Sequence, residues 1–367
     1  MVKININYIA DLSIPNKSAY AVHVLKISDN FIKFGCNLKL YLYSNQKRIN
    51  AKKIKNDFNL SNLLNINYCF KKKVKRTFFN NIFFSFWCSN KINKKSLVIS
   101  RSIISALILN ILKFRVILEI HHEMTGFTKI FYQLTTKLKI IKNLKFIFIH
   151  KNLQKIFDPS KKNSIVLDDG VDIDDFLFDI NSKKTCAYTG SFAKGKGIEL
   201  ISKIAAKNPK ILFYAYGNID TLSHPHSFKK IKNLIFQNYQ KYKNIPKILK
   251  KNLILLMPYQ KKIGILAKNI SVENYISPLK LFEYLASSNI IIASNLKVYS
   301  HILKDKFNCL LCEPSNIDDW SSKITYAINS SNKLNYLRKN AFKSAKKYTW
   351  IKRVSEIVNF SQKQNLL

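Results

Sequence analysis

This chain has few acidic residues, few glycines and few prolines. It has 62 lysines and arginines against 21 aspartates and glutamates, which gives a formal net charge of +41 at pH 7. Glycine and proline occur only eight times each, and no stretch has the composition of a disordered linker. No segment approaches the roughly 20 uncharged apolar residues of a transmembrane helix, so the sequence predicts no membrane span.

The positive charge has two interpretations. Lysine, asparagine and isoleucine are enriched together along the whole length, as an A/T-biased genome would impose on exposed positions, and this explains part of the charge. The remainder favours acidic partners, such as phosphorylated substrates and anionic lipid headgroups. Hydrophobic residues make up 47% of the chain and aromatic residues 13%, which is ample material for a core.

Cysteine is also scarce. The six cysteines lie in mostly apolar contexts, which predicts buried thiols in a reducing compartment. Cys309 and Cys312 have the spacing of a metal or redox pair, but no second pair or nearby histidine completes such a site, so we interpret them as part of a core strand. The first residues alternate like a strand and lack the apolar core of a signal peptide. We therefore expect a cytoplasmic protein.

Strand-like apolar runs alternate with helical patterns throughout the chain, which indicates an α/β architecture with parallel sheets. The first series runs from Ile4–Ile9 to Ile165–Leu167, and the second from Thr185–Thr189 to Cys309–Leu311. Because 367 residues exceed the size at which single cores usually stop growing, we predict two doubly wound, Rossmann-like domains with a central cleft between them. We assign them to residues 1–175 and 176–345, followed by a terminal helix at 346–367.

The segment from Ser277 to Ser294 predicts a loop, a short helix and a buried strand. Pro278 is tolerated near the helix start because first-turn N–H groups have no intrahelical partner. The same N–H groups, at the positive end of the helix dipole, form an anion site. Glu283 could accept hydrogen bonds from sugar hydroxyls, so the segment suggests a site for a nucleotide diphosphate. The alternative is an ordinary amphipathic helix with a surface glutamate.

A second strand, glycine-containing loop and helix start lie at Tyr188–Leu200. Glycines would let the backbone of this loop approach a ligand closely, and its lysines would neutralise phosphate charge. The spacing fits neither a Walker A loop nor the dinucleotide-binding fingerprint. The alternative is a plain strand-to-helix turn in a lysine-rich chain.

Taken together, these segments resemble the retaining, nucleotide-sugar-dependent glycosyltransferases of the GT-B fold, the family-four or "glycosyl transferases group 1" type. The resemblance covers nearly the whole chain, and its motifs follow one another in the family's order. They are Ser18–Leu25, Phe34–Leu38, Glu119–His121, Leu167–Phe176, Tyr188–Gly197, Phe213–Gly217, Met257–Tyr259, Ser277–Ser294 and Tyr348–Arg353. The resemblance implies an acceptor-side first domain, a second domain that binds the nucleotide sugar, and a terminal helix that crosses back to the first domain.

The resemblance also implies roles for individual residues. Glu283 would be the second glutamate of the family's paired glutamates and would bind the donor ribose, and Lys196 would contact the donor diphosphate. His121 would lie near the transferred sugar as a catalytic candidate, with His122 as the alternative. The other donor-binding candidates belong to the same two segments: Gly190, Ser191, Lys194, Gly197, Ser277, Pro278, Leu279 and Lys280.

Three departures from the family pattern affect these roles. Tyr275 occupies the position of the first paired glutamate, and the nearest acid, Glu273, becomes the second catalytic candidate. Ser191 stands where the family has a phosphate-binding arginine, so Lys194 is the candidate to compensate. The N-terminal loop Pro15–Ala19 lacks the family's glycines, and a close approach of that backbone to the diphosphate is then less easily explained.

The reaction implied by the resemblance is transfer of a sugar, with retention, from a nucleotide sugar to a saccharide or lipid-linked acceptor. The pathway would be bacterial surface polysaccharide synthesis, of capsule, lipopolysaccharide or exopolysaccharide. Lys196, Lys280 and helix N–H groups would stabilise the charge that develops on the leaving diphosphate. We expect no cofactor and no metal, because these groups neutralise the diphosphate and no Asp-x-Asp motif is placed to hold an ion.

Basic and aromatic residues are interleaved in Phe70–Trp87. Such a segment could bind single-stranded nucleic acid, lie at a membrane interface, or form a core helix beside a solvated lysine run. Of the functional interpretations we favour peripheral contact with an anionic membrane, at the inner face of the cytoplasmic membrane, and expect no specific nucleic acid partner. The alternative functions are a non-catalytic nucleic-acid-binding protein and a GT-B sugar-nucleotide epimerase.

Overall fold

The computed structural model describes residues 4–71, 77–176, 178–179, 182–222, 228, 230–261, 264–265, 268–271 and 274–367. Contacts between residues divide the chain into two compact units. The first comprises Met1–Asp169 and Trp350–Leu367, and the second comprises Gly170–Thr349. The sequence pattern, by comparison, predicts boundaries after residues 175 and 345.

Strands and helices alternate through the first unit. In chain order the elements are β1 (Asn5–Ile14), α1 (Ala19–Lys33), β2 (Asn37–Ser44), α2 (Ala51–Phe58), β3 (Asn65–Phe70), α3 (Phe78–Ser89), β4 (Leu97–Ser100), α4 (Ile103–Ile111), β5 (Arg115–Ile120), α5 (Gly126–Lys137), β6 (Lys145–Phe148), α6 (Lys151–Phe157) and β7 (Ser164–Val166). The seven strands form one parallel sheet in the order β3-β2-β1-β4-β5-β6-β7. Strand β4 is buried at every residue, as expected where helices cover both faces of a parallel sheet.

Helix α1 illustrates how the local sequence builds the centre of this unit. The hydroxyl of Ser18 caps the helix by accepting a hydrogen bond from the Ala21 N–H, and Gly35, with φ of +95°, follows its end. Every residue from Ala21 to Phe31 is buried, His23 included. A polar side chain on this core helix therefore needs a partner inside the protein.

The second unit has the same alternating pattern. Its elements are β8 (Lys183–Thr189), α7 (Ile198–Lys207), β9 (Phe213–Tyr216), β10 (Leu234–Gln237), α8 (Ile245–Lys250), β11 (Asn252–Met257), β12 (Gly264–Ile265), β13 (Lys268–Ser271), α9 (Leu279–Ala286), β14 (Ile290–Ser294), β15 (Leu310–Cys312), α10 (Ile317–Asn329) and α11 (Asn335–Ala345). Six strands pair in parallel in the order β10-β9-β8-β11-β14-β15, and β12 and β13 form an antiparallel pair. The last helix, α12 (Trp350–Lys363), belongs to the first unit.

Both parallel sheets reverse their strand order near the centre. Strand β1 lies between β2 and β4, and β8 lies between β9 and β11. Doubly wound sheets bind ligands outside the carboxyl ends of the strands at such a reversal. The predicted fold class, two doubly wound α/β domains, is confirmed, and the loop after β8 lies at this point of the second sheet.

No helix in the described part of the chain is both long and apolar enough to cross a membrane. All six cysteines are free, and all but Cys69 are buried. Burial is the main cause that raises the thiol pKa values of Cys309 and Cys312 at strand β15. These are properties of core cysteines, as the sequence predicts, rather than of a reactive or metal-binding pair.

Candidate functional site

The loop after β8, at the centre of the second sheet, begins with Gly190 and ends with Gly197 at the start of α7. Both glycines have positive φ, +142° and +91°, which residues with a Cβ rarely adopt. The N–H of Gly190 donates to the carbonyl of Tyr216 at 2.9 Å. The predicted glycine loop therefore adopts a backbone conformation that needs its glycines.

The side chain of Lys280 lies against this loop. It is 8% exposed, and its Nζ lies 3.6 Å from the centroid of the Tyr188 ring. Among the described residues this Nζ has no hydrogen-bond partner. A Cβ at Gly190 would lie 2.7 Å from it, so the glycine leaves the space that the amine occupies. A buried amine of this kind is costly unless an anion or another acceptor completes it.

Lys196 provides a second amine beside the first. Its Nζ lies 4.5 Å from the centroid of the Tyr259 ring, and the Nζ of Lys280 lies 5.2 Å from the same centroid. Burial lowers the pKa of Lys196 to about 8. Burial, together with the charge of Lys196, also holds the pKa of Lys280 well below its usual value, although Glu283 opposes this shift. Two amines at one aromatic ring form a site that favours a multiply charged anion.

Helix α9 brings its N-terminus to the same place. Pro278 is the N-cap residue, Leu279 is the first helical residue and Lys280 the second. One turn further, the hydroxyl of Tyr284 accepts a hydrogen bond from the Thr189 N–H at 2.9 Å, which fastens the helix to the end of β8. The two segments predicted to bind phosphate are therefore adjacent, with the N-terminus of a helix beside two lysines.

Glu283 also lies on α9 and is 7% exposed. Its carboxylate is hydrogen-bonded to the phenol of Tyr242, whose pKa is raised well above the usual value by burial and by the Glu283 charge. Glu283 is therefore not the surface glutamate of an ordinary amphipathic helix. It already accepts a hydrogen bond from a hydroxyl group, which is the kind of contact predicted for it with a sugar.

The other predicted residues have different surroundings. The carbonyl of Ser191 accepts a hydrogen bond from the Tyr188 hydroxyl at 2.7 Å, and Lys194 is exposed. A Cβ at Gly197 would lie 2.0 Å from the Pro258 carbonyl oxygen, so this glycine admits the protein's own backbone. Ser277 and Tyr275 are buried, whereas Glu273 lies outside the described residues.

The first unit has a buried polar group of its own, centred on Glu119 at the end of β5. The Glu119 carboxylate accepts hydrogen bonds from the Tyr8 hydroxyl (2.7 Å), His121 Nε2 (2.8 Å) and Arg353 Nη2 (2.7 Å). The Nδ1 of His122 lies 2.8 Å from the carbonyl of the next residue. Of the two candidate histidines, His121 is the one that joins the buried group.

His23 on α1 completes this group. Its Nε2 lies 2.9 Å from the Glu119 carboxylate and its Nδ1 lies 2.8 Å from Asp169. The Trp350 ring meets the imidazole edge to face, with the centroids 5.1 Å apart. Helix α12 is therefore joined to the core of the first unit through both Trp350 and Arg353.

The protonation states in this group follow from its charges. Burial raises the pKa of Glu119, but His23 and the guanidinium of Arg353 lower it more, so that it lies well below its usual value. Burial and the charge of Arg101 lower the pKa of His121 to about 3. A neutral His121 that donates from Nε2 to Glu119 keeps Nδ1 unprotonated, so this nitrogen can accept a hydrogen bond.

His23, Glu119 and His121 are also the kinds of residue that bind metals, and their ligand atoms lie within 4.8 Å of one another. However, the same Glu119 oxygen that contacts His121 also accepts from Arg353. A divalent cation there would lie next to a guanidinium and compete with it for one oxygen. The donor set therefore fits a hydrogen-bonded ion-pair network better than a metal centre.

Sequence reasoning found His121 but did not assign His23 or Arg353 to a site. Arg353 stands between Trp350 and Val354 on the buried face of α12. A charged residue on such an apolar face is almost never buried without a partner. The position of Arg353 in the sequence therefore indicates that it has a buried partner, but it does not identify Glu119 as that partner.

Residues 173–344 match the family model described as "Glycosyl transferases group 1". A relative by sequence is an uncharacterized glycosyltransferase of Methanocaldococcus jannaschii, 25% identical over 209 residues, or 57% of this chain and 56% of that protein. The chain therefore spans little more than half the length of this curated relative.

Two solved structures have the same fold. HepE of Anabaena, in complex with UDP and glucose, has a TM-score of 0.71 at 10% identity, over 97% of this chain and 99% of that one. The lipopolysaccharide outer core galactosyltransferase WaaB, in its apo form, has a TM-score of 0.63 at 14% identity, over 98% of this chain and 100% of that one. At these identities the likeness concerns the fold, and it confirms the GT-B fold that the resemblance implies.

Proposed function

Because residues 173–344 match the glycosyl transferases group 1 family model, we propose that the chain transfers a sugar from a nucleoside diphosphate donor, with retention of the anomeric configuration. The acceptor is a saccharide or a lipid-linked saccharide. The observation that supports this most is the pair of amines formed by the buried Lys280 and the partly buried Lys196, beside the N-terminus of α9.

In this proposal the two lysines bind the diphosphate of the donor. Cleavage of the sugar–phosphate bond places additional negative charge on the leaving diphosphate, and preformed positive groups stabilise that charge more than the ground state. The helix N–H groups contribute in the same sense. We propose that these groups, without a resident metal ion or other cofactor, neutralise the leaving group.

In this proposal the Glu283 carboxylate accepts hydrogen bonds from the ribose hydroxyls. These bonds replace its hydrogen bond with Tyr242. His121, neutral and held through Nε2 by Glu119, offers Nδ1 to a hydroxyl of the transferred sugar. Glu273 remains a candidate for a further sugar contact. UDP is the first nucleotide to test, because the structure of HepE, which shares the fold, contains UDP.

We also propose that the acceptor belongs to a bacterial surface polysaccharide and that the protein acts at the inner face of the cytoplasmic membrane. The shared fold with a lipopolysaccharide galactosyltransferase is consistent with such a pathway.

Thermal unfolding against a panel of nucleotides tests the donor site. A ligand of the native state stabilises it by RT ln(1 + [L]/Kd), about 2.7 kcal/mol at a concentration of 100 Kd. We expect a nucleoside diphosphate and its sugars to raise the midpoint, and Glu283→Ala to weaken this shift. Glu313→Ala, at an exposed glutamate of the same unit, is the matched control and should bind as the wild type does.

Product analysis then separates the functions. Transfer to an added acceptor with an unchanged anomeric configuration supports the proposal. Isomerised donor formed without any acceptor would identify an epimerase. Salt-dependent binding to any nucleic acid duplex, with no shift by any nucleotide, would identify a nucleic-acid-binding protein. If Glu283→Ala leaves nucleotide affinity unchanged, the ribose contact is wrong.

A further inference from the structure

Two helices of the first unit expose large apolar side chains to solvent. On α3, Phe79 is 78% exposed and Phe83 is 66% exposed. On α5, Phe127 is 73% exposed, and Ile130 and Leu134 are each 51% exposed. These spacings of three or four residues place the side chains on one stripe of each helix. We call these five residues the apolar surface.

The two stripes are adjacent. The ring of Phe78, at the start of α3, lies 6.1 Å from the ring of Phe127 and 5.6 Å from that of Phe131, both on α5. Within α5 only Thr135 is buried. A helix that buries so little of itself gains little stability from its apolar residues in this structure. Single exposed hydrophobic residues are common, but a contiguous group of this kind marks an interaction surface.

The charged residues of the two sequence segments that carry the apolar surface have one sign. No aspartate or glutamate occurs between Asp57 and Glu119, while the same stretch contains eleven lysines and arginines. None occurs between Glu123 and Asp158 either, and that stretch contains seven lysines. Helices α3 and α5 therefore lie in segments whose charged residues are all lysines or arginines. A partner for this surface must offer an apolar interior that can bury these side chains, and negative charge that can pair with the lysines.

We propose that the apolar surface inserts into the interface of an anionic lipid bilayer, with lysines of the same two sequence segments on the headgroups. Aromatic and aliphatic side chains on one face of a helix, with lysines beside them, are the composition of interfacial helices. Anionic headgroups attract such lysines within about one Debye length of the surface. A nucleic acid would satisfy the charges but would not bury the aliphatic side chains of α5.

This surface differs from the one that the sequence predicts. Within Phe70–Trp87, Phe84 is fully buried and its ring stacks on those of Tyr43 and Trp87, so it belongs to the core. The basic run at 72–76 lies outside the described residues. Helix α5 supplies three of the five residues of the surface and was not part of that prediction.

Co-sedimentation with vesicles tests the proposal. We expect the full-length protein to bind vesicles that contain phosphatidylglycerol, and to bind neutral phosphatidylcholine vesicles much more weakly. The double variant Phe79→Ser/Phe127→Ser should lose roughly tenfold or more in partition coefficient, because two interfacial anchors are removed. Phe307→Ser, at a residue of the second unit that is 47% exposed, is the matched control and should bind as the wild type does.

A second measurement reports insertion directly. In Phe79→Trp, vesicles with phosphatidylglycerol should shift the tryptophan emission to the blue, and added duplex DNA should not. Unchanged binding of the double variant, or equal displacement of the protein by duplex DNA, would overturn the proposal in favour of a purely electrostatic, nucleic-acid-like surface. Circular dichroism confirms that each variant is folded.

The membrane surface rests on the proposed function in one respect only: membrane binding would give the enzyme access to a lipid-linked acceptor. The two can fail separately. If nucleotides shift the unfolding midpoint but no vesicle binds, the membrane surface is wrong and the donor site stands. If vesicles bind but no nucleotide does, the membrane surface stands and the glycosyltransferase proposal is wrong.

Discussion

Raising the pH should weaken the binding of a nucleoside diphosphate to this protein. The reason is the pair of amines formed by the partly buried Lys196 and the buried Lys280. Burial lowers both pKa values in the free protein, that of Lys196 to about 8. A bound diphosphate raises them again, because a negative charge nearby favours the protonated amine. Between the free and the bound pKa, binding therefore takes up a proton.

The magnitude follows from Lys196 alone. An amine of pKa about 8 is roughly nine-tenths protonated at pH 7 and roughly one-tenth protonated at pH 9. If only the protonated form binds, the affinity falls about tenfold over this range, or about 1.4 kcal/mol. The pKa of Lys280 is also lowered, and its deprotonation weakens binding in the same direction. We therefore expect the affinity to fall at least tenfold between pH 7 and pH 9.

Isothermal titration calorimetry with UDP at pH 7, 8 and 9 measures both quantities. The dissociation constant should rise with pH. At pH 8, a plot of the apparent binding enthalpy against the ionisation enthalpy of the buffer should have a slope that corresponds to uptake of protons by the complex. Uridine, which lacks phosphates, should show neither effect. Lys196→Arg, which stays protonated, should make the pH profile shallower and leave the part that is due to Lys280. Lys203→Met, at an exposed lysine of α7, should leave the profile unchanged. An affinity for UDP that is constant from pH 7 to 9 would refute the reasoning.

Two further predictions concern stability. Arg353→Met should destabilise the protein by about 3–5 kcal/mol in urea unfolding, because Glu119 loses its guanidinium partner inside the core. Lys363→Met, at an exposed position of the same helix, is the control, and equal losses for both variants would contradict the buried ion pair. Gly197→Ala should lower the thermal midpoint markedly, because a Cβ there meets the Pro258 carbonyl at 2.0 Å and φ is +91°. Gly126→Ala, with φ of +55° but no atom within 4 Å of its Cβ, measures the backbone strain alone, and an equal loss would mean that the contact with Pro258 is unimportant.

Much of the fold could be predicted from local patterns. The apolar runs Ile165–Leu167 and Cys309–Leu311 are strands, and the observed bounds, Ser164–Val166 and Leu310–Cys312, differ from the predicted ones by one residue at each end. Such strands are legible because both faces of a parallel sheet are covered, so the whole run is apolar. Helix α5 was not predicted, since its apolar residues face solvent rather than the core.

The candidate site divides in the same way. Gly190, Lys196, Lys280 and Glu283 are visible in the sequence because each belongs to a short segment whose spacing has a local physical reason. Their arrangement is not visible in the sequence. The Nζ of Lys280 lies 2.7 Å from where a Cβ of residue 190 would be, which is too close for a side chain there, and the two residues are far apart in the chain. His23 and Arg353 were missed because no local pattern joins α1 to α12.

The sequence by itself determined the alternation of strands and helices, the two βα series and the segments with free N–H groups and lysines. These depend on periodicity, capping and glycine, which act over a few residues. Only the tertiary structure decided that two amines share the Tyr259 ring, that Glu119 accepts hydrogen bonds from Tyr8, His121 and Arg353, and that α3 and α5 form one surface. Burial, pKa and surface contiguity depend on which distant residues pack together, and packing is a property of the whole fold.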